Sequence, residues 1–511
     1  MSVYELYKPL RNYLRKFPLL ESLGVVRAYI QHLQFKQPFP SDIQVLEDLL
    51  NERTHKEKML YAPEWELDIL AKEIILNSPE HAEKTLRLWP AFAGAINRIK
   101  DLENNIYGAH RELAQSNILI ELFRIIHRQF PWQRLPHTNA LLRYFKIFGT
   151  AEFAPILKER IGIEAAKLYT IGLLFCGNFI TNFGFNLPPR IVIPGITLED
   201  VDCFIRHFST DMPTLKRLIA EKQSYDQDYA YTFNPLRKYP LIQVNLQGKS
   251  AVIAPIPTFL FRRFTEGVYY EICGDNRFPD AFGRSFQNYV GDVLVAANRT
   301  KNLTILAEQS YHVGKDRKDS IDWILSDATG DLFIECKTKK LRFEAKIGLA
   351  STDVLNADLD KMADFVVQTY KTLIDALNGL YKHWHFKENK PLYLMIVTLE
   401  EWFTFGDKIL PIIDEAVRQK IIEANIDPAI MEKYPCTICA TDDFELAAQV
   451  MAKTNIQTLM RKKITGESRR WNLYSLLNSV FKDEISQMRD SLFPEEMKRI
   501  HPDIKTNGLS N

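Results

Sequence analysis

The stretch from Ser320 to Lys340 constrains the fold of this chain more than any other. Two short runs rich in Ile, Leu, Phe and Trp flank Asp327-Ala328-Thr329-Gly330-Asp331, which is turn chemistry, so the segment predicts a β-hairpin. Side chains alternate along a strand, so Phe333, Glu335, Lys337 and Lys339 fall on one face and Leu332, Ile334 and Cys336 on the other. A half-buried strand would turn its aliphatic row to the core. Glu335 and Lys337 would then lie side by side, with Asp322 delivered from the partner strand. Two carboxylates and an ammonium at one point suit Mg²⁺, a hard cation that prefers oxygen ligands. Such an ion activates water and steadies charge on a phosphate, while a lysine positions the nucleophile or offsets developing charge. On the Glu-x-Lys triplet alone, the competing reading is a surface hairpin with a cross-strand ion pair, worth a few tenths of a kcal/mol.

Asp322 followed by Glu335-Cys336-Lys337 resembles the D…(D/E)-x-K signature of the restriction-endonuclease-like, or PD-(D/E)xK, nuclease superfamily. The resemblance implies a metal-dependent phosphodiesterase. Asp322 and Glu335 would be the metal ligands, the Cys336 carbonyl would join the shell, and Lys337 would be the catalytic lysine, with Mg²⁺ or Mn²⁺ as cofactor. The preceding segment fits the same order: a helical stripe of Phe282, Phe286, Tyr289, Val290, Val293 and Leu294, then a strand over Leu303 to Glu308. Many relatives carry a glutamate on that helix; here the matching place holds Gln287, with Glu308 or Asp292 as possible substitutes. After the hairpin a long helix over Asn356 to Leu377 presents Lys361, Asp364, Gln368 and Lys371 on one polar face. Gln368 is the candidate it lends to the site; a solvated face is the alternative. A buried strand over Pro391 to Leu399, a helix from Ile409 to Asn425 and a strand near Cys436 to Ala440 complete an α/β/α sandwich.

The N-terminal part reads differently. Apolar residues recur at helical spacing in Trp65 to Ile75, Thr85 to Ile99, Glu112 to Ile126 and Asn139 to Phe148, and prolines fall near the expected helix ends. Thr197-Leu198-Glu199-Asp200 predicts a capped helix running to about Phe208. A hairpin over 239–254 reads as a joint. The expected plan is an all-helical sensing or regulatory region (1–235), a connecting hairpin region (236–264), an α/β nuclease-like domain with a mixed sheet flanked by helices (265–450), and a helical tail with a disordered end (451–511).

With 65 Lys and Arg against 64 Asp and Glu, the formal net charge is +1, so any grip on nucleic acid must be local. The best local patch combines Arg461, Lys462, Lys463, Arg469, Arg470 and Trp471 with Lys337, Lys339, Lys340, Arg342 and Lys346. A solvated charged loop is the alternative there. The segment Arg124 to Lys146, with Arg128, Trp132, Arg134, Arg143 and Tyr144, reads either as a stacking surface or as amphipathic helices with solvated arginines. Six scattered cysteines suit a reduced, cytoplasmic protein, and Cys436 and Cys439 on one strand would point to opposite faces. Neither a signal peptide nor a membrane span is expected.

The expected function is a metal-dependent nuclease acting on DNA, an anti-phage defence effector whose helical half answers a phage-derived or cellular protein. An RNase or tRNase with the same site is one alternative. A catalytically weak nuclease fold that binds nucleic acid or protein is another.

Overall fold

In the computed structural model the described residues are 3–45, 61–109, 118–134, 137–188, 193–340, 352–488 and 491–501. The chain divides into two compact units. The first comprises Met1–His137, Ala151–Asp275 and Arg499–Pro502; the second comprises Thr138–Thr150 and Asn276–Lys498. The division after Asp275 differs from the expected joint at 236–264.

The first unit is mostly helical, including Val3–Leu14, Leu19–Phe35, Glu64–Asn77, Trp89–Ala109 and Ala165–Thr181. The third helix of that series starts where Pro63 takes the N-cap position, and the fourth starts at Trp89-Pro90 rather than at Thr85. Thr197 and Asp200 form a full capping box for Leu198–Phe208: the Thr197 hydroxyl accepts from the Asp200 N–H, and the Asp200 carboxylate accepts from the Thr197 N–H at 2.9 Å. The unit is not all-helical, however. Strands β1 (Gly184–Asn186), β2 (Ser209–Asp211), β3 (Leu241–Leu246) and β4 (Lys249–Ile253) form one sheet in the order β1-β4-β3-β2. The hairpin read as a joint is therefore the middle of this sheet. Its Ile242 and Ile253 are fully buried in the unit's core beside Leu215 and Phe259. Three-residue edge strands such as β1 and β2 carry too little periodicity to be read from sequence.

The basic-aromatic segment is also revised. Arg124 is buried and pairs with Glu121 at 3.0 Å and with Asp228; Arg128 pairs with Glu103 at 2.7 Å. Arg143, in the second unit, is buried against Glu445 at 2.7 Å and Asp442. These guanidiniums are internal ion pairs, neither solvated nor open to phosphate, because each has carboxylates from another element to neutralise it.

The second unit is built on a five-stranded mixed sheet with helices around it. Its strands are β5 (Thr304–Ala307), β8 (Trp323–Ser326), β9 (Asp331–Lys337), β10 (Leu392–Thr398) and β11 (Cys436–Ala440), in the order β11-β10-β9-β8-β5. β5, β8 and β9 are antiparallel neighbours, whereas β9, β10 and β11 run parallel. A separate antiparallel pair, β6 (Ser310–Val313) and β7 (Asp316–Asp319), lies in the chain between β5 and β8. Its second strand, Asp316-Arg317-Lys318-Asp319, has no apolar residue that would have announced it.

The hairpin β8–β9 forms as expected, with Trp323 opposite Ile334 and Ser326 opposite Asp331. Asp327 fixes its turn: one carboxylate oxygen accepts from the Thr329 and Gly330 N–H groups at 2.7 and 3.0 Å, and the other accepts from Ile456 N–H. β9 is not half-buried. Residues 331–335 are buried on both faces. On the Ile334 side lies helix Phe278–Ala297, whose Gly291 abuts the Trp323 ring. On the Phe333 side lie Tyr381, stacked at 6.2 Å, and Trp384, edge-on at 4.9 Å. A strand with parallel partners is normally covered on both sides, and the alternating reading gave too little weight to this.

Candidate active site

β8 and β9 part company just before Trp323, and the site forms where they separate. Register would carry the ladder on through Asp322 and Glu335. Instead the Asp322 carboxylate accepts the Cys336 N–H at 2.6 Å, and the Ile321 N–H turns to the Tyr381 hydroxyl at 3.0 Å. Asp322 therefore caps a strand edge that would otherwise leave a buried amide unpaired. Its own carbonyl accepts the Glu308 N–H at 2.9 Å, which fixes Glu308 just beyond the end of β5.

Glu335 is 7% exposed, and its carboxylate accepts from the Lys337 ammonium at 2.7 Å. Lys337 also donates to Gln368 at 3.2 Å and lies 5.1 Å from the centre of the Phe365 ring. Gln368 and Phe365 are three residues apart on helix Thr352–Leu377, so one helical face holds the lysine by an amide and a ring. The sequence singles out Gln368; Phe365 falls among the apolar positions of the helix, and its i, i+3 spacing from Gln368 was the available signal. Gln287 donates its side-chain amide to Glu308 at 3.1 Å. The place where a glutamate was expected is thus coupled to a carboxylate on the next strand. Asp292, the other suggested substitute, instead pairs with Lys146 at 2.9 Å.

The electrostatics are those of crowded acids. Burial, and then the charge of Glu335, pushes the Asp322 carboxyl up to about 8. Burial also raises Glu308, with Asp319 and Glu335 adding to the shift. The Cys336 thiol is pushed up by burial and by Asp322, so it is not a poised nucleophile. Among the described residues, no three His, Cys, Asp or Glu side chains form a group able to hold a metal ion by themselves. Mg²⁺, however, is commonly held by only one or two carboxylates with several retained waters. Asp322 and Glu335 fit that role, since a divalent cation would offset both the burial and the Glu335 charge that raise the Asp322 carboxyl.

Two of the remaining nucleic-acid candidates are buried. Lys340 is buried and pairs with Glu400 at 2.7 Å, so it is corrected from a phosphate contact to an internal ion pair. Lys463 is buried and donates to the Ser468 and Arg469 carbonyls at 3.2 and 2.9 Å. Lys339, Arg469 and Arg470 are exposed, with Arg470 paired to Asp407 at 2.7 Å. Arg342 and Lys346 lie outside the described residues. Cys436 and Cys439 sit on β11, where burial pushes the first thiol up to about 12 and the second well above its ordinary value. Among the described residues no single helix is long and apolar enough to cross a membrane. No family model, curated protein or solved structure matches the chain.

Proposed function

We propose that the second unit is a divalent-metal-dependent phosphodiesterase acting on nucleic acid, with DNA favoured over RNA. The observation that supports it most is the meeting of Asp322, Glu335 and Lys337 where β8 and β9 separate, with Lys337 held by Glu335 and Gln368. Asp322, Glu335 and the Cys336 carbonyl would hold Mg²⁺ or Mn²⁺. The bound ion would supply an activated water and neutralise charge on the phosphate. Lys337 is the residue that stabilises the negative charge developing on the phosphoryl oxygens as water oxygen bonds to phosphorus and one P–O ester bond breaks. The products are a phosphomonoester and an alcohol, the water's proton passing to solvent or the leaving oxygen. Gln368 and Phe365 are positioning residues that keep the ammonium in place.

The wider reading, an anti-phage effector whose helical unit answers a protein trigger, comes from the resemblance. A second reading, a catalytically weak fold that binds nucleic acid, is favoured by one observation: the helix position expected to carry a metal-binding glutamate holds Gln287. Incubation of the full chain with plasmid DNA and total RNA in Mg²⁺, Mn²⁺ or EDTA separates the two. Metal-dependent cleavage lost in Asp322→Ala supports the enzyme. Binding without cleavage under every metal condition supports the second reading.

A further inference from the structure

We propose that Glu308, aimed by Gln287, holds the attacking water of the Asp322–Glu335–Lys337 site; this rests on the nuclease reading above. The sheet brings Glu308 there. Ala307, Trp323 and Ile334 form the last paired rung across β5, β8 and β9, and Glu308, Asp322 and Glu335 are each one residue beyond it. Residues opposite one another on adjacent strands are near neighbours. The bond from the Glu308 N–H to the Asp322 carbonyl, at 2.9 Å, keeps this register one step past the ladder. The Glu308 charge consequently acts on Asp322, while Asp319, Glu335 and Lys337 act on Glu308.

Gln287 then fixes how the carboxylate points. Its side-chain amide donates to Glu308 Oε2 at 3.1 Å, and its own carbonyl accepts the Trp323 Nε1–H at 2.9 Å. One turn along, Gly291 lets the helix lie directly against that indole, where a methyl would strike the ring. The turn that carries Gln287 is therefore seated on Trp323, the residue next to Asp322. Glu308 is exposed, and its Oε1 accepts no hydrogen bond from the described residues. One oxygen is held and the other is open to water at the edge of the site. An ionised carboxylate only accepts, so it takes a hydrogen bond from a water and leaves that oxygen's lone pair free to face phosphorus. Asp322, Glu335 and Glu308 do not form a three-carboxylate chelate. Glu308 therefore acts through water, and an acid placed in that way also strengthens the hold on a hydrated cation. The competing role is a hydrogen bond that only ties the helix to the edge strand.

The test compares wild type with Glu308→Gln, Gln287→Ala, Gln287→Glu and Asp322→Ala. Steady-state cleavage of one DNA duplex in Mg²⁺ gives kcat and KM, calorimetric titration without DNA gives Mn²⁺ affinity, and thermal melting in EDTA checks the fold. Glu308→Gln should lose about 100-fold in kcat with KM little changed, and about 10-fold in Mn²⁺ affinity, at a wild-type melting temperature. Gln287→Ala, which frees the carboxylate without removing it, should lose about 10-fold in kcat. Gln287→Glu sets a second carboxylate against Glu308 and removes the donor, so it should lose at least as much. A wild-type kcat or a wild-type Mn²⁺ affinity in Glu308→Gln overturns the role of Glu308, as does Gln287→Glu cleaving faster than wild type. A fall in kcat that merely accompanies a lower melting temperature assigns the bond to the fold and overturns it too. Those results leave the nuclease reading intact so long as Asp322→Ala is inactive. Cleavage by Asp322→Ala at the wild-type rate, or none by wild type, overturns that reading and this inference with it.

Discussion

Asp322→Asn is expected to stabilise the second unit at neutral pH and to do nothing at low pH. The asparagine keeps an oxygen that can accept the Cys336 N–H, now made at 2.6 Å, but removes the charge. In the folded protein the Asp322 carboxyl is pushed up to about 8 from an ordinary value of 3.8. The sign follows from linkage. The folded state holds this proton more tightly than the unfolded state, so the full contribution is present below about pH 4 and is lost as pH rises toward about 8. Each unit in that window is worth ~1.4 kcal/mol, which sets an upper bound of about 4 kcal/mol at pH 7. Relaxation and water entry at the strand edge reduce this to on the order of 2 kcal/mol. Calorimetry in EDTA between about pH 4 and about pH 8 should show the variant's advantage growing with pH. Mg²⁺ at ~100-fold over its Kd should then stabilise wild type by ~2.7 kcal/mol and leave the variant little changed. An advantage that stays constant with pH, or a variant less stable than wild type at pH 7, would refute the reasoning.

Other perturbations have separate expected outcomes. Gln368→Ala frees Lys337 from one of its two hydrogen-bond partners and should lower kcat by about 10-fold, on the scale of one misplaced group, with KM little changed in steady-state cleavage. Gly291→Ala places a methyl 2.2 Å from the Trp323 ring and should cost about 1–3 kcal/mol of stability, seen as a lower denaturation midpoint with altered Trp fluorescence. Glu445→Gln leaves buried Arg143 short of one charge and removes the Tyr289 acceptor carboxylate, and should destabilise the second unit by about 3–5 kcal/mol in urea unfolding. Arg469→Glu with Arg470→Glu should weaken nucleic-acid binding uniformly across sequences if those exposed arginines contact backbone; unchanged affinity and salt slope would exclude that contact.

The parts of the fold legible in the sequence are those where one local rule dominates. The turn at Asp327 to Asp331, the apolar run of β10 and the Thr197 capping box each read correctly, because turn chemistry, burial and capping act within a few residues. What escaped depends on partners far along the chain. β1 and β2 are strands only because β3 and β4 pair with them, and the burial of Arg143 is set by Asp442 and Glu445 some three hundred residues away. Within the site, spacing put Asp322, Glu335 and Lys337 near one another, and alternation paired Glu335 with Lys337 on one face. The bond from Gln287 to Glu308 and the contact of Phe365 with Lys337 follow from helix placement on the sheet, which periodicity alone does not fix. Lys340 looked like Lys339 in the sequence; one step along the chain turned it inward to Glu400.

The central claim rests on Lys337, and single-turnover cleavage of one end-labelled DNA duplex in Mg²⁺ tests it most directly. Wild type is compared with Lys337→Ala and with Lys371→Ala, an exposed lysine on the polar face of the neighbouring helix. Removing one charge-stabilising donor should slow the chemical step by about 100-fold or more in Lys337→Ala, while Lys371→Ala and wild type cleave alike. Equal rates in all three proteins, or cleavage that persists in EDTA, would contradict the assignment of this site.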